Sequence, residues 1–285
     1  MNHRGGKEQQ SMVNHVRVGW ILFKRDFMGS LLSPAVYIAV TAACLISTFF
    51  VVNYLDTLSK VAVLVSVDPL GVPLFFAVVL MALYIGVISS ISITGEREHR
   101  TLEVLFYGPV TPWSLILAKF SYGIAIFLFA LVFFTLYLLV EATLTNLAFG
   151  PRSLKSIGIS FFLVWPMVSF SVLLSTALKR VRNAVLLFVG IFLALTGLQI
   201  AYGLLLGIPP ESISLFLLYV REGLTILLKG LQWVSPFSYI ARATTDMPLG
   251  SPMPAGWSIL FACLYASFLL IVAIFVLKKR GMVCG

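Results

Sequence analysis

Charge is scarce in this chain. Asp, Glu, Lys and Arg together make up 11% of its 285 residues, against roughly 25% in soluble globular domains. Hydrophobic residues make up 60% and the mean hydropathy is +1.02, which excludes an ordinary soluble fold. Cysteine is nearly absent: Cys44 and Cys263 sit in apolar runs and Cys284 beside the C-terminus. An odd count so placed predicts neither a disulfide framework nor a zinc site. The three histidines, His3, His15 and His99, fall outside the apolar runs. No His-Glu-x-x-His or Gly-x-Ser-x-Gly occurs, so catalysis inside a membrane has no obvious residues. Gly-x4-Gly-Lys-[Ser/Thr] is missing as well, which excludes nucleotide binding by a P-loop in this chain. The N-terminal thirty residues carry no compact apolar core with a small-residue cleavage site, so the first span is expected to be an uncleaved anchor.

What is present is a series of long apolar runs. A helix of about 20 apolar residues crosses a ~30 Å hydrocarbon core. Six runs meet that length, at about 31–52, 70–93, 113–140, 157–178, 184–206 and 257–277. The predicted class is an all-α integral membrane protein with six transmembrane helices, organised as a tail and interface helix (1–30) and one transmembrane domain (31–285). Pro166 predicts a kink in the fourth span. Met1–Gln10 is polar and predicted to be without structure. Beyond it Val13, Val16, Trp20, Phe23 and Phe27 recur at steps of three and four, predicting a basic amphipathic helix in the membrane interface.

Between the fifth and last runs, Ser212–Val234 is apolar but carries Arg221 and Glu222 at its centre and Lys229 beyond. A lone Arg at a span centre costs about 2.5–3.5 kcal/mol. Two short helices dipping in and returning, Ile213–Val220 and Leu224–Leu228, are therefore predicted on the outer side. Six spans put both termini on one face, and that face collects fourteen of the twenty Lys and Arg residues against six opposite. The bias predicts cytoplasmic termini. The basic clusters act as topology signals at span ends, so the net charge of +9 does not point to nucleic acid.

Five charges fall between Glu96 and Glu103, in the loop joining the second and third runs. Drawn as a helix, Glu96, Arg100, Glu103 and Tyr107 share one face and Leu102, Leu105 and Phe106 the other. Glu96–Arg100 and Arg100–Glu103 are then favourable pairs. Gly108-Pro109 is predicted to end this helix, and Thr111-Pro112 to cap and start the next. A short amphipathic helix joined rigidly to two spans is suited to passing motion into them.

The run Glu-Arg-Glu-His-Arg-Thr-Leu-Glu-Val-Leu-Phe-Tyr-Gly-Pro-Val, placed between the second and third of six spans, resembles the signature of type-2 ABC export permeases. There a Glu precedes a Gly/Arg-Thr-Leu-Glu core, the segment forms a coupling helix, and a Pro closes it. Glu96, Thr101, Leu102, Glu103, Leu105 and Pro109 fit this pattern, with Arg97, Glu98 and Arg100 in the same segment. Arg100 stands where Gly is common, and Ala118-Lys119 where Gly-Lys is common. The N-terminal helix, the span layout and Ser235-Pro236-Phe237-Ser238-Tyr239 extend the likeness over nearly the whole chain. The resemblance implies a plasma- or inner-membrane exporter subunit that has no cofactor of its own. It implies ATP and magnesium on a separate ATPase subunit, and pairing with itself or with a sister permease. An ion-coupled secondary transporter is the chief alternative, but it needs ionisable groups in mid-membrane, whereas Lys119 and Glu141 stand at the ends of the third span. Ser89, Ser90, Ser92, Thr196 and Gln199 are expected to join helices, and Gly203-x3-Gly207 to allow close packing. A scaffold or assembly protein is the remaining alternative.

Overall fold

A computed structural model describes residues 3–61, 70–107, 110–147, 149–207, 215–241 and 255–281. Eleven α-helices and no strand occur among them. Helix α1 (His3–Leu31) turns at Leu32–Ser33 into α2 (Pro34–Val61), and α3 (Gly71–Glu98) is followed by the seven-residue α4 (Thr101–Tyr107). Then come α5 (Pro112–Thr145), α6 (Pro151–Leu163), α7 (Trp165–Ala177), α8 (Val181–Leu206), α9 (Leu215–Val234), α10 (Pro236–Ala241) and α11 (Ala255–Gly281). Six stretches are long and apolar enough to cross a membrane: Pro34–Thr57, Gly71–Glu98, Pro112–Thr145, Ser153–Ala177, Val181–Leu206 and Gly256–Lys279.

The helices overrun the apolar runs that predict them. α3 continues five residues past Ile93 because its charged end finds partners on other helices rather than needing water. α1 starts at His3, so the polar N-terminal run is helical instead of unstructured. The fourth crossing breaks at Val164, the residue between α6 and α7. Pro166 two residues later cannot donate to the ladder and its ring crowds the preceding turn. α5 begins as its sequence predicts. Thr111 is extended (φ −98°, ψ 155°), Thr111 Oγ1 accepts from Ser114 N at 3.3 Å, and Ser114 Oγ accepts from Thr111 N at 3.1 Å.

The segment between the fifth and last apolar runs differs from expectation. α9 runs unbroken through Arg221 and Glu222, and the break falls at Ser235, ahead of α10. Leu224, Leu228 and Leu231 lie at helical spacing on one inward face, with Leu228 buried, while Glu222 and Lys229 are exposed. Glu222 and Lys229 lie away from these leucines, while Arg221, half-buried on their side, can lay its alkyl stem on apolar surface, so the charges give the helix no reason to divide. α9 is not among the six membrane-length helices. Pro236 opens α10, and Ser235 through Tyr239 are buried. Phe237 packs its ring against Phe170, Phe188 and Phe192.

The core forms where α3, α5, α7 and α11 meet, with Phe127, Phe134 and Phe188 fully enclosed. Gly86 permits the α3–α8 contact, since a Cβ there would lie 2.2 Å from Phe188 Cζ. The polar residues of the spans bond chiefly to their own helices. Ser90, Ser92 and Thr196 hydroxyls donate to carbonyls three or four residues back, a use open to Ser and Thr in any helix. Gln199 is exposed, and Gly203 has no other atom within 4 Å of a would-be Cβ. The bond between helices is instead made by Ser175 Oγ, which accepts from Ile93 N at 2.9 Å and Thr94 N at 3.0 Å.

Candidate functional site at the α3–α4 junction

The charged loop is two structures, not one helix. Glu96, Arg97 and Glu98 complete α3, the chain turns at His99–Arg100, and α4 starts at Thr101. Arg100 holds a left-handed φ of 58°, which costs a side-chain-bearing residue about 1–2 kcal/mol. This turn separates Glu96 from Arg100, so the predicted pair between them does not form. Thr101 Oγ1 reaches back across the turn to donate to the Glu96 carbonyl at 3.0 Å.

α4 divides its residues as its amphipathic pattern predicts. Leu102 is buried, and Leu105 and Phe106 pack against the core. Glu103 is exposed, with Val104 at 69% and Tyr107 at 92% exposure beside it. Pro109 lies outside the described residues.

The end of α3 reaches in two directions. Arg97 Nη1 donates to the Thr176 and Leu178 carbonyls at 3.1 and 2.9 Å, satisfying acceptors at the end of α7. Glu98 Oε2 accepts from Val181 N at 2.9 Å, capping the first turn of α8. These two side chains, expected to face a partner, thus hold the α7–α8 turn against α3.

Glu96 points the other way. Its Oε1 accepts from Lys119 Nζ at 2.7 Å and Arg25 Nη2 at 2.6 Å. Lys119 Nζ also donates to Asp26 Oδ2 at 2.7 Å, and Arg25 Nε to Asp26 Oδ1 at 2.9 Å. The Lys119 side chain is 4% exposed. Burial opposes the Arg25 charge, but the carboxylates of Asp26 and Glu96 outweigh it and hold the guanidinium's pKa above its usual value. Two cations and two anions from α1, α3 and α5 therefore form one neutral cluster. Sequence reading finds Glu96 and misses its partners Arg25, Asp26 and Lys119; the one signal was a lysine inside an apolar helix, which must find an anion.

α1 follows the first turns of α5. Gly19 lies near Ser114, Asp26 meets Lys119 and the Ser30 hydroxyl bonds to that of Tyr122, so the two helices run side by side in one direction. Trp20, Phe23 and Phe27 stack in a row, with Trp20 exposed and Leu22 buried. The side chains of Val13 and Val16 lie outside the described residues. Arg221 and Glu222 sit on α9 and Pro236 on α10, and none of them belongs to the charge cluster. No group of three or more metal-ligating side chains occurs among the described residues.

Fold and junction together define a polytopic, all-α membrane protein with a short helix seated between its second and third crossings. Residues 20–282 match the family model described as ABC-2 family transporter protein. The chain belongs to that family of transporter permeases. A search of curated proteins finds no match.

Proposed function

We propose that this chain is the permease half of an ATP-driven exporter and that α4 is the surface on which a separate ATPase subunit docks. The observation that supports this most is the outward face of α4. Glu103, Val104 and Tyr107 stand exposed on a helix whose other side is anchored by Leu102, Leu105 and Phe106. An aromatic and an aliphatic side chain beside a charge make a natural docking anchor. Arg97 and Glu98 support the site by tying α3 to α7 and α8, so force on α4 reaches several crossings. In this reading both termini are cytoplasmic, two permease subunits of the same or of sister chains enclose the route, and α9–α10 caps its far side. ATP and magnesium are held by the partner.

Glu103→Ala and Tyr107→Ala should each lower permease-dependent ATPase activity while membrane insertion stays normal. A loss of roughly five- to a hundredfold is expected for the pair, the ordinary range of coupling between sites. Unchanged activity in a normally assembled complex removes α4 from the docking role.

A further inference from the structure

We propose that Lys119 is a positioning residue for coupling, clamping α1 to the end of α3 so that α1, α4 and the first turns of α5 move as one body. The proposal rests on the reading of α4 as the docking helix. α1 packs along α5, and its hydrogen-bonded ties to α3 run through the charge cluster. Lys119 is the member that spans the gap, because its ammonium bonds a carboxylate from each of the other two helices at 2.7 Å. A lysine suits this place: its charge is compact and its donors rotate toward two acceptors at once.

Glu96 is the joint. Its side chain is held by Lys119 and Arg25, while its own carbonyl accepts from Thr101, the first residue of α4. A displacement of α4 therefore pulls on the residue that anchors α1. Glu96 Oε2 is buried and has no hydrogen-bond partner among the described residues.

Charge balance separates this role from simple stabilisation. Lys119→Met leaves two carboxylates facing one guanidinium. Adding Asp26→Asn restores neutrality but leaves α1 tied to α3 by Arg25 alone. The test uses the full chain with its three cysteines replaced by alanine and spin labels at Ile21 on α1 and Val104 on α4, both exposed. Pulsed electron–electron resonance in detergent, with no ATPase present, reads the α1–α4 distance. The Asp26→Asn/Lys119→Met variant should melt near the parent temperature yet show a broadened distance distribution, and Lys119→Arg should return much of the narrowness. In the assembled complex, the unlabelled double variant should lose roughly fivefold or more of permease-stimulated ATPase activity. An unchanged distance distribution in the double variant overturns the clamp, whatever the ATPase does. A broadened distribution with full stimulation overturns its role in coupling. Failure of the docking reading is seen separately, as full stimulation in the Glu103 and Tyr107 variants.

Discussion

Two buried charges on α5 are handled in opposite ways. Lys119 near its start and Glu141 near its end are 22 residues apart, about 33 Å along a helix, and the residues between them carry no charge. That length matches a hydrocarbon core, so each sits close to one edge. Lys119 is met by carboxylates from two other helices. Glu141 receives one hydrogen bond, from Ser47 Oγ on α2 at 3.0 Å, and its other oxygen is buried with no partner among the described residues. Beside it the hydroxyls of Thr48 and Tyr137 bond to each other. The first end is built to fix helices relative to one another. The second holds two helices together by polar contacts that any of several residues could supply.

The comparison is broken most directly at Lys119. Removing one member of a buried, mutually neutralising set strands the others and costs about 3–5 kcal/mol. Lys119→Met should lower unfolding stability in mixed micelles by that order. A loss within the noise of the titration would mean that water or lipid headgroups already neutralise the cluster. Ser47→Ala comes next. It takes away a donor on Glu141, and leaving a buried acceptor unsatisfied costs about 1–3 kcal/mol. Glu141→Gln should change stability by less than about 1 kcal/mol, because it keeps an acceptor for Ser47 and removes a charge with no counter-charge among the described residues. It also sharpens the functional choice. Transport that survives Glu141→Gln argues against an ion-coupled carrier, which needs a titratable group in the membrane. Transport abolished by it, with folding intact, would revive that alternative.

What was legible in the sequence follows the same division. The six crossings are legible because a run of about 20 apolar residues has few other uses, and α4 because Leu102, Leu105 and Phe106 fall on one side of a short helix. The cluster was not legible, since Asp26 and Lys119 are brought together from 93 residues apart and no periodicity reports a pairing across helices. Drawing Glu96 through Tyr107 as one helix, with Glu96, Arg100, Glu103 and Tyr107 on one face, failed for a local reason. A turn at His99–Arg100 splits the segment, and the carbonyls of α7 and the first amides of α8 compete for its charges. α9 was divided because Arg221 was treated as if it stood in lipid, whereas it is only half-buried, beside Leu224 and Leu228, where its alkyl stem can cover apolar surface.

The smallest effect predicted lies at that turn. His99 N donates to the Gly95 carbonyl and Arg100 N to that of Arg97, closing α3 with Arg100 in the left-handed region at φ 58°. Only glycine enters this conformation without steric cost. Arg100→Gly removes about 1–2 kcal/mol of strain and returns part of it through the greater freedom of the unfolded chain, for a net gain of about 0.5–1 kcal/mol. The Arg100 side chain is exposed and makes no hydrogen bond or ion pair among the described residues, so nothing inside the chain offsets that gain. Denaturant titration of the isolated permease should show it, and a net loss would reveal an internal contact for the arginine. If the variant is more stable but stimulates its ATPase less, the strain is retained for the partner's sake, and Arg100 joins Glu103 and Tyr107 on the docking face. If stimulation is unchanged, the docking surface ends at α4 itself and the turn serves only to set its angle.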